Sequence, residues 1–144
     1  MSGMGTAVSL AIKGTLTYTD NDSSFEAVPV DWSSSSSDRI KYQLRTDASR
    51  TGEFLVFQGA TGASGAGDQY DPDVGVPFSW ASAHTATNLE GASEGVPTSS
   101  VTPSGLPDLS TTDLAIGTTF MGNIGSLSMW ASELNQVQLK SVTS

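Results

Sequence analysis

The chain contains no cysteine. Disulfide staples and thiolate metal sites are therefore excluded, and the absence fits assembly in a reducing cytoplasm. Cations are also scarce. Six Lys and Arg stand against 15 Asp and Glu, giving a net charge of −9. None of the six lies between Thr51 and Leu139, where nine acids occur. Phosphate-backbone binding needs clustered cations, so nucleic acid is excluded as a partner, and so is an anionic membrane surface. No apolar run approaches the roughly 20 residues of a membrane span, so no membrane insertion is expected. The opening MSGMGTAVSL lacks the basic and long apolar regions of a signal peptide. Any export is expected to bypass the secretory route.

Catalytic signatures are missing as well. The single histidine is His84, and no G-x-S-x-G elbow positions a nucleophile. His84 is expected to be exposed or hydrogen-bonded rather than a catalytic base. Acids do not alternate along any strand as a glycosidase carboxylate pair would. Glu26, Glu53 and Glu133 stand singly. The chain is expected to be no enzyme. Heptads, internal repeats and a strongly amphipathic helix are absent too, which excludes a coiled-coil stalk within these residues.

What remains is a chain of 144 residues rich in Ser, Thr, Gly, Ala and Asp. It is expected to form one domain over 1–144, with an N-terminal arm at 1–7. In VSLAIKGTLTY, apolar Val8, Leu10, Ile12, Leu16 and Tyr18 alternate with small or polar residues. A period of two gives one buried and one wet face. Gly14 interrupts the run and marks a bulge or a close approach. FEAVPVDW follows as a strand in which Pro29 signals an edge or a bulge. DRIKYQLRT alternates again, with Ile40, Tyr42 and Leu44 on one side. EFLVFQ, VPFSWAS, DLAIGTTF and MGNIGSLSMW read as further strands. HTATNLEGASEG reads as a hairpin turning near Glu90 and Gly91, and Gly59 to Gly75 as a long loop. About eight short strands joined by Gly, Ser and Pro loops predict an all-β fold, a two-sheet antiparallel jelly-roll sandwich.

The chain's end departs from this pattern. Asn135 and Gln138 have the spacing of a capping box. Val137, Leu139 and Val142 would dock the turn that follows, so at most a short C-terminal helical turn is expected. Just before it, Ile124 and Leu127 have opposite parity, so burying both requires a bulge near Gly125. Trp130 is expected to cover the sandwich end, ahead of a sugar-stacking role.

LPDLSTTDLAIGTTFMGNIGSLSMWASELNQVQL resembles the carboxy-terminal part of the laminin-G-like, concanavalin A-like modules of phage virion proteins. The matching positions are Ile116, Gly117, Gly122, Ile124, Leu127, Trp130 and Leu139. IKGTLTYTD and DRIKYQLRTDASRTGEFLVFQ are similar to the family's amino-terminal strands. The resemblance implies the same sandwich, and carbohydrate binders, adhesion modules or structural virion parts as function classes.

Three surface features are candidate sites. Arg39, Lys41 and Arg45 share one strand face, with Arg50 just beyond; these are four of the six cations. They read either as a wet strand face whose charges discourage edge pairing or as a docking patch for an acidic protein surface. Asp20, Asn21 and Asp22 in one turn, and Asp68, Asp71 and Asp73 in the long loop, are candidate calcium ligands. Asp and Asn are also default turn residues, and solvated turns are the simpler reading. No other cofactor is implied. Trp32, Tyr70 and Trp80 form a candidate aromatic platform for a glycan, with core placement the simpler account of Trp80.

The expected function is a non-enzymatic phage virion structural protein on the virion surface, a capsid decoration subunit docked on the major capsid protein or another virion protein. A homo-oligomer is expected, with a trimer favoured because symmetric shell sites recruit cyclic oligomers. The alternative is a tail-fibre or spike module binding a host-surface glycan.

Overall fold

In the computed structural model, residues 5–17, 26–45, 54–64, 75, 77–120 and 122–144 are described. Ten strands and one helix follow in order: β1 (Ala7–Leu16), β2 (Glu26–Ser33), β3 (Arg39–Arg45), β4 (Phe54–Gln58), β5 (Thr61–Ser64), β6 (Pro77–Thr85), β7 (Leu89–Ser93), β8 (Val96–Pro97), β9 (Leu114–Ile116), β10 (Gly122–Trp130) and α1 (Gln136–Thr143). They build two five-stranded sheets ordered β10-β1-β6-β7-β8 and β5-β4-β3-β2-β9. Every strand pairing is antiparallel. The expected two-sheet sandwich is the observed one.

The alternation in β1 does what its period requires. Val8, Leu10, Ile12 and Leu16 enter the core between the sheets. Ser9 and Ala11 are also buried, but on the other face, under the C-terminal segment. In β3, Ile40, Tyr42 and Leu44 join the core as expected. The core centre is aromatic. Trp80 stacks between Phe78 (4.2 Å between centroids) and Phe54 (4.8 Å), and Tyr42 meets Phe54 edge-on at 5.4 Å. Phe54 and Tyr42 come from one sheet, Trp80 and Phe78 from the other, so these contacts join the two layers.

The irregular positions have physical causes. Gly14 is a close approach: a Cβ there would collide with the Asn123 carbonyl oxygen and the Phe78 ring. Opposite it, Lys13 pairs with Ser126 while Gly14 pairs with Ile124, so Gly125 bulges out of β10. That bulge lets both Ile124 and Leu127 pack against the core despite their opposite parity. Pro29 lies at a second bulge, between Ala27 and Val30. Its carbonyl accepts from the Gly117 N–H at 2.9 Å, so the break in pairing with β3 is sealed from the other side.

Two local expectations move. The hairpin turns at 86–88, between β6 and β7, and a second turn falls at Glu94 and Gly95, both at positive φ (51° and 78°); neither is near Glu90 and Gly91. Glu90 and Gly91 lie inside β7, where Gly91 packs close to the Ala81 carbonyl oxygen. Both pairs offer the same turn residues, and burial of β7 claims the first. The long loop from Gly59 also begins with a strand, β5, paired with β4 through Thr61 to Ser64.

The terminal turn is a helix of eight residues with the expected capping box. Asn135 Oδ1 accepts from the Gln138 N–H at 3.0 Å, and Gln138 Oε1 accepts from the Asn135 N–H at 2.9 Å. Leu139 and the preceding Leu134 seat on Ala11, Ala81, Ala83 and Ala92 of the first sheet's outer face. Alanines there allow the close approach.

Replacing Gly14 with Ala should destabilise the fold by about 1–3 kcal/mol, through overpacking against Phe78 and the Asn123 backbone. Gly5→Ala meets only an atom at 3.9 Å and should leave the urea midpoint unchanged. Equal midpoints for both variants would contradict the close approach.

Candidate ligand-binding cleft

The segment between the Leu89↔Val101 bridge and β9 shapes one wall of a cleft. In PDLSTTD the Asp108 carboxylate accepts from the Ser110 N–H at 3.1 Å, which turns the chain. Hydrogen bonds from the Ser110 hydroxyl and then its N–H hold the Asp108 carboxyl below its usual pKa. Leu109 is buried in the core, and its carbonyl accepts from both the N–H (3.1 Å) and the hydroxyl (2.9 Å) of Thr112. The turn then presents the Thr112 carbonyl to Trp32, whose indole N–H donates to it at 3.1 Å. Trp32 pairs in register with Leu114 of β9.

The other wall comes from the opposite sheet. Met129 and Trp130 end β10, paired with Leu10 and Ser9 of β1. Together Trp32, Leu109, Leu114, Met129, Trp130 and Asp113 line a cavity of about 450 Å³. That volume is within the range of small-molecule sites, roughly 300–1,000 Å³. Ser110 and Thr112 also line it, and the N-terminal Gly5, Ala7 and Val8 close one side. Trp130 is half-buried and pairs with outward-facing Ser9, so its side chain packs on the alanine face of the first sheet and the residue borders the cleft at the end of β10. The cleft is thus a largely apolar slot bordered by Trp32 from one sheet and the end of β10 from the other, with hydroxyls and one exposed carboxylate among its lining groups.

The structure distributes the expected site residues unevenly. Trp32 lines the cleft. Trp80 does not belong to any platform: it is 0% exposed and stacked between two rings of the core, which no glycan reaches. Its place mid-strand, opposite buried Ile12, puts it inside. Tyr70, Arg50, Asp20, Asn21, Asp22, Asp68, Asp71 and Asp73 lie outside the described residues, as do residues 1–4 of the arm. Among the described residues no cluster of three or more His, Cys, Asp or Glu could hold a metal. Arg39 and Lys41 do share a face of β3, and Arg45 ends that strand. However, β3 is the central strand of its sheet, so the charges guard no edge. The Arg39 guanidinium lies 4.5 Å from the Phe57 ring centre, and its Nε donates to the Gly59 carbonyl at 3.1 Å. Lys41 pairs in register with Asp31 and Phe57.

Sequence reasoning ranked Trp130 as structural and did not single out Met129, Leu114 or Asp113. Their shared signal is position at the ends of β9 and β10, next to Ser- and Thr-rich turns. Only the sheet packing places those ends beside Trp32.

Among the described residues, a nucleophile–base geometry lies in the core. Ser82 Oγ is 2.7 Å from His84 Nε2, and both side chains are wholly buried, so no substrate reaches them. Gln58 Nε2 donates to the carbonyls of Thr85 (2.5 Å) and Gly105 (2.9 Å), which leaves its Oε1 facing His84 Nδ1 at 3.1 Å. A neutral His84 therefore carries its proton on Nδ1, and Nε2 accepts from Ser82. Tyr42 Oη contacts both Ser82 Oγ (2.5 Å) and the Leu10 carbonyl (2.8 Å), so one phenolic proton faces two acceptors.

No family model and no curated protein matches the chain. Solved structures do. The heptameric SAP-like pentraxin of Limulus polyphemus matches with a TM-score of 0.65 and 12% identity, over 100% of this chain and 73% of that one. The CBM40 of the Ruminococcus gnavus IT-sialidase, bound to α2,3-sialyllactose, matches with a TM-score of 0.69 and 10% identity, over 96% and 83%. Mouse laminin α1 domains LG4-5 match with a TM-score of 0.60 and 14% identity, over 94% of this chain and 38% of that one. The fold is a laminin-G-like, concanavalin A-like jelly roll. At these identities the likeness establishes the architecture of this jelly roll and not its ligand.

Burial pushes the His84 pKa from 6.5 down to about 3. Between those values the unfolded chain holds a proton that the folded jelly roll does not. Stability should therefore fall as pH drops below about 6.5, by up to about 1.4 kcal/mol per pH unit. Urea denaturation across pH 7 to 4 measures this slope, and a foldable His84→Gln variant should lack that component. Identical slopes would refute the assignment.

Proposed function

We propose that this jelly roll is a non-enzymatic glycan-binding module, and that it works as an adhesin on a virion surface. The observation that carries the reading is the cleft: Trp32 and Trp130 line one slot with Ser110, Thr112 and Asp113. A sugar ring offers C–H faces to an indole such as Trp32 and hydroxyls to polar groups, which is the chemistry of that lining. The carbohydrate complex of the CBM40 neighbour supports glycan as the ligand class on this architecture. The virion setting rests on the resemblance of the C-terminal strands to phage virion modules. The wholly buried Ser82–His84 pair supports a non-catalytic role.

A second reading, a decoration subunit docked on a capsid, has its own observation. Met129 on edge strand β10 is 45% exposed, and Ile116 on edge strand β9 is 50% exposed. Apolar side chains on sheet edges favour a protein neighbour. Localising the chain in intact particles by cryo-EM separates the two: density at fibres or spikes supports the adhesin, density across the shell the decoration subunit.

Glycan-array binding followed by titration tests the first reading. Trp32→Ala should weaken binding roughly tenfold or more, as loss of a central aromatic anchor does. Val137→Ser, on the exposed face of α1, should leave it unchanged. Full binding by the Trp32 variant would sink the cleft as the site.

A further inference from the structure

We infer that the cleft between Trp32 and Trp130 selects uncharged sugars and rejects acidic ones. The inference deepens the glycan-binding reading and rests on it. Its ground is the charge of the lining. Among the described lining residues there is no Lys, Arg or His, and the one ionisable side chain is Asp113. A sugar carboxylate or sulfate entering an apolar slot loses water and needs a cationic or N–H-rich partner in return. The indole N–H of Trp32 is already donated to the Thr112 carbonyl. The Thr112 N–H and hydroxyl are both committed to the Leu109 carbonyl, and the Ser110 N–H to Asp108. The lining therefore has few free donors for an anion.

The nearest described cations by register, Arg39 and Lys41 on either side of Ile40, do not compensate. Arg39 pairs with Ser33, one position beyond Trp32. Successive strand residues point to opposite faces, and Ile40, the partner of Trp32, points into the core. Arg39 thus lies across the sheet from the cleft, with its guanidinium over Phe57 and its Nε on Gly59. Lys13 lies five residues along β1 from Val8, roughly 16 Å at strand spacing, which exceeds a Debye length at physiological salt. Asp113 itself repels a sugar anion and accepts hydroxyl protons from a neutral ring. The net charge of −9 adds a long-range field of the same sign.

The test is an array carrying matched uncharged, sialylated, uronate-bearing and sulfated glycans, probed with wild type, Trp32→Ala and Asp113→Lys. Asp113 is exposed, so its variant should keep the fold, with thermal melting as the check. Wild type should bind uncharged glycans roughly tenfold or more above their acidic counterparts. Its affinity should change little between low and high salt. Asp113→Lys should narrow or reverse the preference. Acidic glycans bound by wild type and lost in Trp32→Ala would overturn the selectivity while leaving the cleft as the site. Binding to no glycan, or binding that Trp32→Ala leaves intact, would overturn the glycan-binding reading of the cleft itself.

Discussion

Tyr42, Ser82, His84 and Gln58 form a hydrogen-bonded chain through a core that is otherwise apolar. Tyr42 and Gln58 belong to one sheet, Ser82 and His84 to the other, so the chain ties the layers face to face. Apolar packing alone tolerates sliding of one sheet over the other, because it is not directional. Four aligned polar groups do not, since any shift leaves a buried donor or acceptor unpaired. The last member carries this constraint outward. Gln58 holds the Gly105 carbonyl, where the segment that becomes the cleft wall begins. Leu109 then anchors that segment in the core, and Thr112 takes the Trp32 indole. Core register and cleft shape are therefore mechanically linked.

A second fastening works on the outer face of the first sheet. Ser9 Oγ donates to the Ser132 carbonyl at 2.8 Å and accepts from the Leu134 N–H at 2.9 Å. One buried hydroxyl thus satisfies two backbone groups of the segment leaving β10. That segment carries Trp130 at its start and α1 at its end, and the alanine face beneath lets both lie close. The C-terminal segment therefore packs against the strand end that borders the cleft as well as against the sheet.

Much of the fold was legible because it is written in local periods. The alternation in β1 and β3, the interruption at Gly14, the edge-or-bulge signal of Pro29 and the Asn135 capping box are each signalled by residues within a few positions, even where the contact that uses them, as at Gly14, is distant. The parity conflict between Ile124 and Leu127 even located the Gly125 bulge before any pairing was known. Local signals failed where two equal ones competed. Glu90-Gly91 and Glu94-Gly95 offer the same turn chemistry, and burial against β6 decided between them. They failed again for tryptophan. Trp32 and Trp80 both sit in strands beside serines, yet one lines a cleft and the other is sealed between aromatic rings.

The sequence by itself determined the sandwich class, the inward faces of its main strands, the capped C-terminal turn and the acidic balance of the chain. Each follows from residue type, spacing or charge, which need no knowledge of distant contacts. Only the tertiary structure decided which strand ends meet. Trp32 and Trp130 are far apart in the chain and come from different sheets, and they share a cleft because β2, β9 and β10 finish at the same corner of the sandwich. Long-range sheet packing sets that coincidence, and strand periodicity carries no information about it.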